Sequence, residues 1–264
     1  MAEDVALPTP DELAVVTTLY TDSYASAVAT LGHSLQKVNT TARLIMLYLP
    51  SKISPASLCL ATSSGFIPHP IERIAPPGGG KGVNPQFIDQ FTKLNLWTLD
   101  SIGVKSAVYL DADTLVKRNF DELFALPFRF AAAPDVWGDW RGFTLEFNAG
   151  VMFVRPDSAV FRHMLEVLPT ARFPLGFAEQ AYLNQYFAAD AVRLPVVYNG
   201  NLAAKVRYPA MWAAMESEMR VVHYTLTKPF LSAQFKPIPL DILAERVQEA
   251  ALEWHGDLRE EMEL

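Results

Sequence analysis

The sequence is nearly free of cysteine: Cys59 is the single one among 264 residues, so an intrachain disulfide is excluded. Its apolar neighbours predict a small buried side chain. No run of about 18 apolar residues predicts a transmembrane helix. The acidic start of the chain lacks the basic and apolar regions of a signal peptide. We therefore expect a protein of a reducing compartment with no membrane partner, and we interpret that compartment as the cytoplasm.

Positive charge is also scarce. The chain has 22 Lys and Arg against 29 Asp and Glu, a formal net charge of −7 and a pI near 5.3. This net acidity argues against general nucleic-acid binding, and no basic cluster contradicts it. An anionic substrate is not excluded, because a bound metal ion supplies local positive charge. Half of the residues are hydrophobic, which is enough for the core of one α/β domain.

The most informative stretch runs from Ala107 to Leu115, where a short apolar strand pattern ends in Asp111 and Asp113. Strand side chains alternate faces, so two carboxylates spaced by one residue point the same way. At the carboxyl end of a buried strand, they would face the crevice where open α/β sheets bind ligands. Paired carboxylates are hard oxygen ligands for Mg²⁺ or Mn²⁺, ions that bridge to substrate phosphates.

This pair has three readings. In an acidic protein it can be a solvated loop. It can also belong to an Asp-x-Asp-x-Thr phosphohydrolase, with Asp111 as nucleophile and Asp113 as acid/base. The third reading is a nucleotide-sugar transferase whose pair holds a divalent ion against a diphosphate. The phosphohydrolase is disfavoured because about a hundred residues of α/β pattern precede the motif, and Phe143 stands where a second acid would be expected.

Apolar patterning predicts alternating strands and helices, and hence a largely parallel sheet. Strands are expected over 13–19, 44–49, 71–74, 107–110, 128–133, 151–154 and 221–222. Helices are expected over 23–37, 55–63, 85–100, 157–168, 179–187 and 240–254, followed by an acidic tail. The glycine-rich segment 76–82 lacks the spacing of a phosphate-binding P-loop, so we interpret it as a mobile surface or lid loop.

Several short motifs resemble glycosyltransferase family 8, the glycogenin and galactinol synthase family. In order they are Thr18-Leu19-x-Thr21, Thr92-Lys93-Leu94, Tyr109-Leu110-Asp111-Ala112-Asp113, Ala133-Pro134-Asp135, Phe147-Asn148-Ala149-Gly150, Phe177-Ala178-Glu179-Gln180, Tyr198-Asn199, and Val222-His223-Tyr224 with Lys228-Pro229-Phe230. The resemblance implies a single-domain GT-A fold of class α/β, with a Rossmann-like, mostly parallel central sheet flanked by helices. We expect this domain over 13–235, an extension over 1–12, and a C-terminal helix with its tail over 236–264.

The resemblance also implies a retaining enzyme that uses a UDP-sugar donor and Mn²⁺, with Mg²⁺ as the alternative ion. The acceptor is expected to be a sugar or polyol, and a homodimer is one expected assembly. By family position, the metal ligands are Asp111, Asp113 and His223. Donor and nucleotide contacts are expected from Leu19, Thr21, Lys93, Ala112 and Lys228. The residues expected to act at the transferred sugar are Asn148, Glu179, Gln180 and Lys228, with Lys228 neutralising the departing UDP.

The sequence departs from glycogenins at several positions. An arginine expected before Thr92 falls near Asn84, and Lys81 is its expected replacement. An aspartate expected near Gly176 is missing. The tyrosine that glycogenins glucosylate falls near Val206, with Tyr208 close by, so we do not expect self-glucosylation. A binding protein with a GT-A fold and a decayed site stays an alternative, although a decayed site would be expected to lose one of these metal or phosphate ligands first.

Overall fold

The computed structural model describes residues 8–136, 142–226 and 228–231. Its strands, in chain order, are β1 Leu13–Leu19, β2 Arg43–Tyr48, β3 Ile67–Pro70, β4 Ser106–Leu110, β5 Thr114–Val116, β6 Phe130–Val136, β7 Phe143–Val154, β8 Val192–Arg193, β9 Gly200–Asn201 and β10 Val221–His223. Its α-helices are α1 Ala25–Lys37, α2 Pro55–Thr62, α3 Ser158–Val167, α4 Ala178–Tyr186, α5 Leu202–Arg207 and α6 Pro209–Met215.

The central sheet has seven strands in the order β3-β2-β1-β4-β7-β6-β8. Strands β3, β2, β1 and β4 are mutually parallel, and β6 is parallel to β8. Strand β7 is antiparallel to both of its neighbours, β4 and β6, so it alone runs against the others of this sheet. The predicted α/β class with a mostly parallel sheet is confirmed.

Alternation along the strands builds a core on each face of the sheet. Val15 and Val108 pack with α1 on one face, whereas Val16 and Tyr109 pack with Trp97 on the other. Their continuous burial explains why the sequence of these strands reads as an apolar run rather than as an alternating pattern. No helix in the described part of the chain combines the length and apolarity that a bilayer span needs.

A second sheet of three strands, in the order β5-β10-β9, lies beside the acidic motif. Strand β10 is antiparallel to β5, and this register pairs His223 with Thr114. It is parallel to β9, and this register pairs His223 with Asn201. Because Thr114 directly follows Asp113, this pairing brings a histidine 110 residues away in sequence to the acidic pair.

Several predicted elements need correction. The third strand is Ile67–Pro70 and not 71–74. Its two prolines conceal it in the sequence, because proline disfavours most strands, but an edge strand such as this one tolerates proline. The helix expected over 85–100 is instead a 3-10 turn, Pro85–Phe87, and a 3-10 helix, Gln90–Ile102, which ends at Gly103 with φ +83°. Cys59 is exposed rather than buried, since it lies on the outer side of α2.

Two strand predictions were too short or shifted. The strand expected over 128–133 is Phe130–Val136, and the one expected over 151–154 extends back to Phe143. The first half of β7 is largely exposed, so it lacks the apolar run by which a buried strand is recognised. The short elements β5, β8, β9, α5 and α6 were not predicted. The expected C-terminal helix and tail lie outside the described residues, and the domain boundaries stay predictions.

Candidate metal and nucleotide site

The acidic motif lies at the carboxyl edge of the central sheet, between the two sheets. Asp111 follows β4 and Asp113 precedes β5. One carboxylate oxygen from each aspartate and one ring nitrogen of His223 all lie within 4.8 Å of one another. His223 Nε2 is 3.3 Å from Asp113 Oδ1 and 3.9 Å from Asp111 Oδ2. The structure thus brings together the three residues that the sequence predicted as metal ligands.

A divalent ion fits this set of donors. Two ligands on opposite sides of an ion at about 2.1 Å each lie about 4.2 Å apart, so the observed spacing needs only small side-chain adjustments. Imidazole with two carboxylates suits Mn²⁺ and leaves coordination positions for phosphate oxygens. Asp113 is buried whereas Asp111 is partly exposed, so the site opens on one side.

Hydrogen bonds set the tautomer of His223. Asn199 Nδ2 donates to Asn148 Oδ1 over 3.0 Å, which leaves Asn199 Oδ1 as an acceptor. This oxygen is 3.1 Å from His223 Nδ1, so Nδ1 donates to it, and Nε2 is the ring nitrogen that faces the acidic pair and would bind a metal ion. Gly150 is required beside the ring, because a Cβ there would lie 2.1 Å from His223 Cε1.

Lys228 contacts Asp113 through the carboxylate oxygen that does not face His223. Its Nζ donates to Asp113 Oδ2 and to the Tyr224 carbonyl. Burial acts to raise the pKa of Asp113, but the charges and hydrogen bonds of His223 and Lys228 outweigh burial and hold that pKa well below its ordinary value. Asp113 is therefore an ionised carboxylate at neutral pH, the form that a metal ion requires.

Lys93 is a fully buried lysine between two carboxylates. Its Nζ is 2.7 Å from Glu179 Oε1 and 3.0 Å from Asp111 Oδ1. Burial acts to lower the pKa of Lys93, but these two carboxylates outweigh burial and raise it. Burial raises the pKa of Glu179 against the opposing effect of Lys93. Tyr109 also holds the Asp111 carboxylate in place, because its hydroxyl donates to Asp111 Oδ1 over 2.6 Å.

A second cluster surrounds Asp135, at the end of β6. Asn148 Nδ2 donates to Asp135 Oδ1 over 3.1 Å, and Gln180 Nε2 donates to Oδ2 over 2.9 Å. Gln180 Oε1 in turn accepts the Ala149 N–H over 3.0 Å. Burial raises the pKa of Asp135 although these hydrogen bonds act to lower it. Asn148 and Gln180, two residues predicted to act at the transferred sugar, therefore meet at a buried carboxylate, Asp135, for which the sequence analysis predicted no role.

The remaining predicted residues lie outside these hydrogen-bonded clusters. Leu19 ends β1 with its side chain fully buried in the core, so that side chain offers no contact surface. Thr21 is exposed, and its hydroxyl is 3.2 Å from that of Ser23. Ala112 is buried between the two aspartates. Lys81 is exposed on the glycine-rich loop, and its expected replacement of an arginine stays a prediction.

The sequence analysis assigned no role to four residues of the site, Tyr24, Asp135, Asn199 and Asn201, although Asp135 and Asn199 lie in motifs of the family resemblance. Tyr24 forms an edge contact with Phe230 at 4.8 Å between ring centroids. Burial, together with the nearby charges of Asp113 and Asp111, raises the pKa of Tyr24 to about 12. The available signal for Tyr24 was an aromatic residue just after β1. Asn199 was marked by the Tyr198-Asn199 motif, whereas Asn201 gave no signal. The roles of both depend on contacts between distant segments.

Comparison with known proteins identifies relatives over most of this chain. The model of the family "Glycosyl transferase family 8" matches residues 15–234. Glycogenin of Neurospora crassa is 32% identical over 213 residues, covering 78% of this chain and 29% of its own. Mouse glycogenin-1 is 30% identical, covering 82% of this chain and 65% of its own. Galactinol synthase 1 of Solanum lycopersicum is 28% identical, covering 76% and 67%.

Solved structures agree on the fold. The apo form of the glycosyltransferase GlyE of Streptococcus pneumoniae superposes with a TM-score of 0.62 at 17% identity, over 94% of this chain and 64% of that one. An active-site mutant of LgtC also gives a TM-score of 0.62, at 16% identity, over 91% and 95%. These neighbours confirm the predicted GT-A fold. This chain spans less than two thirds of the length of the glycogenins it matches.

Proposed function

The chain belongs to glycosyltransferase family 8, and we propose that it is a retaining, Mn²⁺-dependent enzyme that moves a hexose or related sugar from a UDP-sugar to a small-molecule or glycan acceptor. The observation that carries this proposal is the convergence of Asp111, Asp113 and His223 within 4.8 Å at the carboxyl edge of the sheet. The name of a relative from Arabidopsis thaliana, UDP-glucuronate:xylan alpha-glucuronosyltransferase 2, which is 30% identical, supports a UDP-sugar as donor.

The charge balance of the site supports a requirement for a cation. Among the described residues, three carboxylates, those of Asp111, Asp113 and Glu179, form ion pairs with two ammonium groups, those of Lys93 and Lys228. A diphosphate placed against this excess of negative charge would be repelled. A divalent ion held by the two aspartates and His223, when bound, supplies the positive charge that the diphosphate needs.

The protein's own residues supply orientation and leaving-group stabilisation. Lys228 is the cation best placed to meet charge that develops on the departing diphosphate, because its ammonium already contacts a metal-binding carboxylate. Asp135 in β6 and Asn148 in β7 provide polar groups that can bind hydroxyls of the donor sugar. Gln180 orients Asp135, because both ends of its amide are engaged in hydrogen bonds.

The sequence leaves two alternatives, a phosphohydrolase and a binding protein with a decayed site. Family membership argues against the phosphohydrolase. A binding protein with a decayed site would need at least one lost ligand, and the three metal-site residues and Lys228 are all present and in contact. We therefore retain the enzyme as the proposed function, with a cytoplasmic location, a polyol or sugar acceptor and a homodimer as further proposals.

The experiment is a panel of UDP-sugars, with UDP release measured in Mn²⁺, in Mg²⁺ and in EDTA. We expect release with at least one donor in Mn²⁺ and none in EDTA. Asp113→Asn should reduce turnover by well over tenfold, roughly 2 kcal/mol or more of transition-state stabilisation. The exposed Asp190→Asn is the matched control and should keep wild-type turnover.

The product decides the stereochemical part of the proposal. Once an acceptor is found, proton NMR of the first product should show the anomeric configuration of the donor. An inverted product would contradict retention while leaving the transferase assignment intact. Equal UDP release in EDTA and in Mn²⁺ would contradict metal dependence, and no release from any donor would favour the decayed binding protein.

A further inference from the structure

One residue next to the site has a backbone conformation that its side chain disfavours. Ala178 has φ +46° and ψ −131°. It is one of two non-glycine residues with positive φ in the described part of the chain. The residue that leads into a helix ordinarily has an extended backbone with negative φ and positive ψ. Ala178 shows the reverse signs, a region that glycine occupies freely and that strains a residue with a Cβ.

This strained residue directly precedes two side chains of the site. Ala178 begins α4 and is fully buried. Glu179 follows and contacts Lys93 over 2.7 Å. Gln180 comes next, and its amide bridges the Ala149 N–H and the Asp135 carboxylate. The direction in which α4 starts thus decides where both side chains point.

The rest of α4 is held tightly enough to keep this strain. Asn184, one turn after Gln180, accepts the Phe147 N–H and donates to the Phe147 carbonyl, both over 2.8 Å. Together with the Gln180–Ala149 bond, these bonds attach two side chains of α4 to backbone groups of β7. A strained residue persists only where many surrounding contacts hold it in place, as they do here. Such residues cluster at functional sites.

We propose that Ala178 is a positioning residue, whose strained turn at the start of α4 fixes Glu179 and Gln180 against β7 and the donor-sugar side of the site. The Cβ of alanine removes backbone conformations that glycine would permit. The strain lowers stability and is retained because it restricts these two side chains. The inference about turnover rests on the proposed function.

The test is Ala178→Gly, with Ala181→Gly as the matched control. Ala181 lies three residues later in the same helix, is also buried, and is not among the residues with positive φ. Glycine at 178 relieves the strain, so the melting temperature should rise by about 2–4 °C. Glycine at 181 only adds backbone freedom to a helix, so the melting temperature should fall by a similar amount.

Activity should move in the opposite direction from stability. UDP release from the best donor of the panel should show kcat lowered by about tenfold in Ala178→Gly. Calorimetric affinity for Mn²⁺-UDP should be unchanged, because the metal ligands lie on other segments. A merely structural role would move stability and kcat together. A melting temperature that does not rise, or a rise with wild-type kcat, would overturn the proposal.

A second measurement is independent of any donor. Hydrogen exchange at the Ala149 amide reports the Gln180 contact directly. It should be faster in Ala178→Gly than in wild type, even though the variant melts at a higher temperature. Unchanged exchange at Ala149 would overturn the positioning claim. If the wild-type protein releases UDP from no donor, the proposed function fails, whereas the melting temperature and the exchange rate still decide this inference.

Discussion

The side chain of Asn199 holds the ring of His223, with 3.1 Å between Asn199 Oδ1 and His223 Nδ1. This bond presents His223 Nε2 to the acidic pair, at 3.3 Å from Asp113. Partners of this kind that orient a metal-binding histidine typically contribute 10–100-fold to metal affinity.

Asn199→Ala should therefore weaken Mn²⁺ binding by about 10–100-fold, because the ring loses its tautomer and its orientation. Calorimetry with Mn²⁺ and UDP measures the change. Asn95→Ala is a suitable control, because Asn95 is also buried but bonds only to the carbonyls of Glu72 and Thr92. Equal Mn²⁺ affinity in the Asn199 variant and the wild type would contradict the role assigned to this contact.

Gly150→Ala should disrupt the metal site by steric displacement. The added Cβ would lie 2.1 Å from His223 Cε1, so the imidazole or the β7 backbone must move. We expect Mn²⁺ affinity and turnover to fall by well over tenfold. Gly176→Ala is the matched control, because its Cβ would meet only the Gly82 carbonyl at 4.0 Å. Similar losses in the two variants would show that the effect is not local to His223.

Lys93→Met should lower stability by about 3 kcal/mol or more, because it leaves Glu179 buried without its partner. The loss should depend on pH. Without Lys93 the folded state holds the Glu179 proton more tightly than the unfolded chain does, so stability falls as pH rises above about 4.3. Urea unfolding at pH 5 and pH 8 measures this difference relative to wild type.

The double variant Lys93→Met with Glu179→Gln provides the control for that prediction. Removing both charges should recover part of the stability and abolish the additional pH dependence, since no buried carboxylate at position 179 is left to titrate. If the single Lys93 variant were as stable at pH 8 as at pH 5 relative to wild type, the ion pair with Glu179 would not be the source of the effect.

Lys228→Ala should lower kcat by at least about tenfold while Mn²⁺-UDP affinity changes by less than about threefold. Charge on UDP increases as the glycosidic bond breaks, so a cation there acts more strongly on the transition state than on the bound donor. The exposed Lys105→Ala, which removes only a pair with Glu12, should leave both quantities unchanged. If kcat and affinity fell by the same factor, Lys228 would be a binding residue only.

Tyr208 should not become glycosylated. Its ring stacks on Phe143 with 5.2 Å between centroids and is half-buried, which engages one face in packing. Intact-mass spectrometry after incubation with Mn²⁺ and UDP-glucose should show no ladder of hexose additions. A ladder that disappears in Tyr208→Phe would overturn this prediction.

The sequence by itself determined the parts of this protein that depend on short-range patterns. Apolar runs fixed β1, β2 and β4, because strands buried on both faces need continuous hydrophobicity. Strand alternation predicted that Asp111 and Asp113 face one crevice, and they do lie together, but the reason differs. A turn between β4 and β5, closed by the Thr114 N–H and the Asp111 carbonyl over 3.1 Å, brings the two carboxylates together. Ordered motifs then identified the family and named His223 and Lys228 as members of the same site, two assignments that spacing alone could not make.

Tertiary structure decided everything that depends on contacts between distant segments. The pairing of β5 with β10 sets the distance between Asp113 and His223, and Asn199 fixes the imidazole from a third segment. Lys93 reads in sequence as an ordinary helical lysine, yet it is fully buried between two carboxylates. The strain at Ala178 is likewise invisible in the sequence, because a backbone dihedral reflects how the whole of α4 docks on β7 rather than the preference of alanine.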